Sequence, residues 1–144
     1  MPNRYLPDTN ILINMVRENA LTAYLRQHYS LYMADPRPLY SVVSAGELRA
    51  FAARQKNWVE RHFTQMEYIL ETLECVWIDT PELVAAYAAI DVYSLKNGRS
   101  MGKNDLWIAA TANVLDAHLL TTDKDFDHLD PLFLTHTYID PDVA

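Results

Sequence analysis

Lys103-Asn104-Asp105-Leu106-Trp107-Ile108-Ala109-Ala110 and, further on, Leu120-Thr121-Thr122-Asp123-Lys124-Asp125-Phe126 decide how this chain folds. The first stretch opens on an amide and a carboxylate and continues with small and apolar residues, which predicts a compact helix from about Asp105 to Leu115. The second is a strand, His118 to Thr122, that runs into an acidic turn. A helix followed directly by a strand is the repeating unit of a parallel sheet covered by helices.

The same alternation runs outward in both directions. Tyr5-Leu6 reads as a short strand ending at Asp8, with Pro7 placed at the strand's end, where a missing donor is tolerated. Ile11, Leu12, Met15 and Val16 have helical spacing, as do Leu21, Leu25 and Tyr29. Asp35-Pro36-Arg37-Pro38 breaks the chain before a strand over Leu39 to Val43, and Ser44 opens a helix to about Arg54. Val59, Phe63, Met66, Leu70 and Leu73 share one helical face, read as core. Cys75 to Ile78 is a further strand, with Cys75 buried. Thr80 caps the next helix, Pro81 occupies its first position, and Leu83, Val84, Tyr87 and Ala88 form its inner stripe. The 98–103 loop ends that helix, and Leu132 to Ile139 is a last strand. The order is β-α-α-β-α-α-β-α-α-β-turn-β. It predicts an α/β fold with a mostly parallel sheet, and one domain across 1–144.

Four carboxylates stand where a predicted strand hands over to a helix or turn: Asp8, Glu47, Asp105 and Asp123. Loops at the carboxyl ends of parallel strands converge on one crevice. Each acid also has a structural role open to it. Asp8 can cap its helix, Ser44-x-x-Glu47 matches a capping box, Asp105 suits a helix N-terminus, and Asp123 and Asp125 suit a turn. Their combination is the functional signal. Acids gathered in one crevice need a cation or a proton to offset their repulsion, and an all-oxygen set suits Mg²⁺ or Mn²⁺. Thr9, Asn10, Asn104, Thr121 and Thr122 supply neutral oxygens beside them. Two such ions about 3.5–4 Å apart would hold the attacking and leaving oxygens of a phosphodiester displacement.

Other chemistries are less well served. The five histidines are scattered, without the i, i+4 spacing of a helical metal pair. No nucleophile elbow, Walker loop or dinucleotide fingerprint occurs, and three glycines are few for a phosphate-cradling loop. The single cysteine excludes an internal disulfide and fits a cytoplasmic setting. A net charge of −7 argues against holding nucleic acid on a broad basic face and favours a basic protein partner. No signal peptide is read at the N-terminus, and no apolar run approaches the roughly 18 residues of a membrane-spanning helix.

Asp8-Thr9-Asn10, the Glu47 helix, Asn104 to Ala110 and Leu120 to Phe126 together resemble the PIN domain, most closely the VapC-type toxins of bacterial toxin–antitoxin pairs. The resemblance spans Tyr5 to about Tyr138. It implies a three-layer α/β/α fold with about five strands and an Mg²⁺- or Mn²⁺-dependent endoribonuclease. Position by position it implies metal-holding, catalytic roles for Asp8, Glu47, Asp105 and Asp123, with Asp125 as a possible sharer of the last role. Thr9 and Thr121 match the small polar positions beside the metals. The implied reaction is attack of activated water on RNA, leaving a 5′-phosphate and a 3′-hydroxyl. Pro7 departs from the usual apolar residue before the first acid. Arg49, Arg54, Arg99, Lys103 and Lys124 are candidates for phosphate contacts. The resemblance further implies a homodimer and a cognate antitoxin, with any DNA binding belonging to the antitoxin. Two alternatives stay open: a PIN nuclease for RNA maturation or DNA processing, and a module whose acids hold a basic partner without cutting.

Overall fold

The computed structural model describes residues 4–143. In chain order they form β1 (Tyr5–Pro7), α1 (Thr9–Val16), α2 (Ala20–Tyr29), β2 (Leu39–Ser41), α3 (Val42–Arg54), α4 (Glu60–Thr72), β3 (Glu74–Val76), α5 (Pro81–Lys96), α6 (Lys103–Leu115), β4 (His118–Thr121), a 3₁₀ turn (Lys124–Leu129) and β5 (Thr135–Tyr138). The order is the one the sequence predicts. All ladders are parallel: β4 lies between β1 and β5, and β2 pairs with β3. β1 and β2 touch without a ladder between them, so the five strands fall as a three-stranded and a two-stranded sheet side by side.

β1, β2 and β4 are buried on both faces, and their side chains alternate between two cores, while β3 and β5 are only partly covered. Tyr40 and Leu120 face a core built with Ile11, Leu12, Leu48 and Ile69 from α1, α3 and α4. Leu6, Leu39 and Leu119 face the other, with Ile90, Ile108 and Phe126 from α5, α6 and the 3₁₀ turn. The result is helix, sheet, helix. Pro7 closes β1 opposite Leu120, and the next donor, Asp8 N–H, reaches Leu120 O at 2.9 Å, so the ladder loses nothing to the proline.

Several local expectations are corrected. The strand expected over Leu39–Val43 stops at Ser41, whose hydroxyl accepts from Val43 N–H at 3.2 Å and caps α3. Val42 and Val43 are therefore helical despite their β-branched side chains, and Ser44 is a buried residue inside the helix instead of its cap. The inner stripe of α5 is Leu83, Ala86, Ile90 and Ser94; Val84 and Ala88 face outward. On α4 the core residues are Met66 and Ile69, followed by Leu73, whereas Val59 and Phe63 are exposed. Cys75 is half-buried. The last strand is shorter than Leu132–Ile139, with Leu132 exposed before it. The Thr80–Pro81 helix start holds: Thr80 Oγ1 accepts from Leu83 N–H at 3.3 Å.

Candidate active site

Asp8 follows β1 and caps α1. Its Oδ1 accepts from Ile11 N–H at 3.1 Å, and its Oδ2 accepts a short hydrogen bond from Thr121 Oγ1 at the end of β4. Thr121 is fully buried and also accepts from Asp123 N–H at 2.9 Å, so one hydroxyl joins two of the acids. Asp123 caps the 3₁₀ turn by accepting from Asp125 N–H at 2.9 Å. Asp8 and Asp123 are thus caps and site candidates at once: each uses one oxygen to fix the backbone that follows it.

Glu47 projects from α3 and is held from two sides. Thr9 Oγ1 donates to its Oε1 at 2.6 Å, and Asn104 Nδ2 donates to its Oε2 at 3.1 Å. Thr9 Oγ1 also lies 2.9 Å from the buried Ser44 Oγ, one helical turn before Glu47. α6 starts at Lys103, earlier than expected, which puts Asn104 and Asp105 in its first turn, with Asp105 close to the positive helix end.

A cavity of about 250 Å³ collects these groups: Asp8, Glu47, Asp105 and Asp123, with Thr9, Asn10 and Arg54 among its other walls. Asp105, Asp123 and Asp125 each offer an oxygen within 4.8 Å of the others. The electrostatics follow from this crowding. Burial pushes the Asp8 carboxyl up to about 6, with Asp105 and Asp123 adding to the rise against the opposing hydrogen bonds of Thr121 and Ile11. Asp105 is pushed up to about 6 by burial and by the charges of Asp123, Glu47 and Asp125. Carboxylates that resist ionisation in a shared pocket are a site made for a compensating cation, and hard oxygen donors select a hard divalent one. The residues fit Mg²⁺ or Mn²⁺.

The expected cations are less concentrated. Arg49 is engaged by Glu67 of α4 in a two-pronged ion pair. Arg99, Lys103 and Lys124 are exposed on segments flanking the cavity, Lys124 with its ammonium 5.3 Å from the Tyr138 ring centre. Arg54 does line the cavity. Ser44 was legible only as a cap; its place one helical turn before Glu47 is the signal that sets it facing Thr9. Ile13, Phe51 and Ile108, which complete the wall, carry apolar side chains that by themselves gave no sign of a site.

The fold and the cavity together define an α/β protein with a cluster of carboxylates at one edge of a parallel sheet. Within that class, residues 5–132 match the PIN domain, and the chain belongs to that family. It is 27% identical over 129 residues to the ribonuclease VapC1 of Haemophilus influenzae (strain R2866), covering 89% of this chain and 93% of that one. The fold is similar to VapBC-1 from nontypeable H. influenzae, with a TM-score of 0.74, 26% identity and coverage of 93% and 96% of the two chains. It is also similar to VapBC2 from Rickettsia felis, solved bound to a DNA fragment from their promoter, with a TM-score of 0.74, 21% identity and coverage of 94% and 98%.

Proposed function

We propose that this protein is a divalent-metal-dependent endoribonuclease and the toxin of a toxin–antitoxin pair. The observation that carries the reading is the convergence of Asp8, Glu47, Asp105 and Asp123 on one cavity, in a PIN chain similar to a ribonuclease named VapC1. Asp8, Glu47, Asp105 and Asp123 would hold Mg²⁺ or Mn²⁺, with Asp125 at the rim beside Asp105 and Asp123. When bound, the ion supplies Lewis-acid activation of water and charge compensation at the phosphodiester.

The chain's own residues do the rest. Thr121 fixes the Asp8 carboxylate and the Asp123 backbone relative to each other. Thr9 and Asn104 hold Glu47 from opposite oxygens, so its carboxylate keeps one orientation. Arg54 gives the cavity a positive wall for a substrate phosphate. The products are a 5′-phosphate and a 3′-hydroxyl. An acidic cavity also accepts an inserted Arg or Lys, which supports inhibition by an antitoxin segment that excludes metal and substrate together. The protein acts as a homodimer in the cytoplasm, and DNA binding belongs to the antitoxin complex. Among the described residues no helix is long and apolar enough to cross a membrane.

The test is cleavage of pooled tRNA and rRNA by the purified protein in Mg²⁺, Mn²⁺ or EDTA. Cutting in metal, absent in EDTA and lost in Asp105→Asn, is the expected result. A folded wild type that neither cuts RNA nor binds metal would move the assignment to an acidic-pocket binding module.

A further inference from the structure

Beyond the acid cavity the surface dips again. A second depression, about 430 Å³, is lined by Arg17, Asn19, Asn57, Trp58, Arg61 and His62, among others. The two are joined by one side-chain contact. Phe51 lines the acid cavity, and the Arg17 guanidinium of the second depression lies 5.2 Å from the centre of its ring.

The chemistry of the second depression differs from that of the first. Trp58 and His62 stack with ring centres 5.4 Å apart and planes 11° from parallel. Val59 N–H donates to His62 Nδ1 at 2.9 Å and fixes the imidazole. Phe51 and Phe63 brace the indole from its sides at 5.6 and 6.0 Å. The result is a half-exposed aromatic platform that is held before any ligand arrives. Arg17 and Arg61 line this groove and Arg54 lines the neighbouring acid cavity, three of the twelve Lys and Arg of a chain whose net charge is −7. Arg61 is tied to Glu18 at 2.6 Å, but both side chains are more than 60% exposed, and such a pair exchanges readily for a phosphate. Asn57 brings an exposed amide that both donates and accepts.

We infer that this groove binds single-stranded RNA next to the bond being cut: a nucleobase extends the Trp58–His62 stack, Asn57 meets its edge, and Arg17 and Arg61 meet the backbone phosphates. This rests on the reading of the acid cavity as a ribonuclease site. Unpaired bases offer the flat face that such a platform needs, and a stacked duplex does not. An acidic peptide would satisfy the arginines and leave the platform unused.

The test separates the groove from the acids by measuring binding without cleavage. Full-length Asp105→Asn protein is titrated into a fluorescent single-stranded RNA in Mg²⁺, alone and with Trp58→Ala, Trp58→Phe or Arg61→Ala added. Trp58→Ala is expected to weaken binding by about tenfold, as loss of one base stack does, and Trp58→Phe to restore most of it. Arg61→Ala is expected to reduce the slope of log affinity against log salt by about 0.7, the signature of one lost phosphate contact on a single strand. In the background with Asp105 intact, Trp58→Ala should raise KM and leave kcat nearly unchanged. Unchanged affinity and salt slope in both Trp58→Phe and Arg61→Ala, together with unchanged affinity in a folded Trp58→Ala, overturn the inference. So does displacement of the RNA by a poly-glutamate peptide whose own binding depends equally on Trp58, which would reassign the groove to a protein partner. Failure of the acid-cavity reading would appear elsewhere, as no cleavage by the wild type.

Discussion

Thr121 is the residue that ties two of the four acids together. Its hydroxyl donates to the Asp8 carboxylate and accepts from Asp123 N–H, and it is fully buried. Thr121→Val keeps the shape and the strand preference but leaves both partners without their hydrogen bond. The expected loss is about 1–3 kcal/mol in urea unfolding, with a larger proportional loss of activity because two acids move. A variant as stable and active as the wild type would remove Thr121 from the site's architecture. The acids themselves give a pH prediction. Asp8 and Asp105 hold their protons up to about 6 in the folded metal-free chain, whereas an unfolded aspartate releases its proton near about 3.9. Between those values the folded state binds more protons than the unfolded state. Stability of the metal-free protein therefore falls as pH rises through that window and stays lower above it. Asp105→Asn removes one of these charges. Screening at a half-exposed carboxylate reduces the gain to roughly 1 kcal/mol, or about 2–4 °C in Tm at pH 7.5 for a chain of this size. A lower Tm for Asp105→Asn in EDTA would contradict the electrostatic account. At this scale Asp8, Asp105 and Asp123 were legible in the sequence because each sits at an element end, where the backbone already favours a carboxylate, whereas Glu47 stands in the second turn of α3 and not at the helix start that a Ser44 cap would give it. The cations were not legible: Arg49 and Arg54 both lie on α3, and only the position of Glu67 on α4 decides which one is diverted.

At the scale of elements, helix ends were read well where a capping side chain and a proline coincide, as at Thr80–Pro81, and misread where two candidate caps lie close together. Ser41 and Ser44 stand one turn apart, and local preference favoured a strand through Val42 and Val43. The structure starts α3 at Val42 because Ser41 satisfies Val43 N–H and because Ser44 is needed inside, against Thr9. Ser41→Ala is expected to cost about 1 kcal/mol of stability, the usual worth of an N-cap. Thermal denaturation in EDTA at a pH near 5, where the site acids are less charged, measures that cost with least interference from the site. No loss there would restore Ser44 as the cap. Helical faces were less legible than helix ends. On α5 the sequence offers apolar residues all round, so periodicity could not select Leu83, Ala86, Ile90 and Ser94 over Val84 and Ala88; packing against α6 and the 3₁₀ turn does so.

At the scale of the molecule, the alternation of strands and helices was legible because it needs only the switch between two periods. Which strands pair was not: β4 lies between β1 and β5, and no short-range signal records that. That order matters for the site. It places the end of β1, which carries Asp8, beside the end of β4, which leads to Asp123, while α3 and α6 bring Glu47 and Asp105 from opposite faces of the sheet. The cavity is thus built from both cores, and an ion held there by all the acids is linked to folding as a whole. A ligand that binds only the folded state stabilises it by about 2.7 kcal/mol at a hundred times its Kd. Saturating Mg²⁺ or Mn²⁺ is therefore expected to raise Tm by several degrees over EDTA at pH 7.5, beyond what matched NaCl does for a chain of net charge −7. In Asp105→Asn the metal increment should shrink while the starting Tm is higher, so that the two curves converge as metal is added. Equal increments in the two proteins would mean that the ions act through the general charge of the surface and not through this cavity.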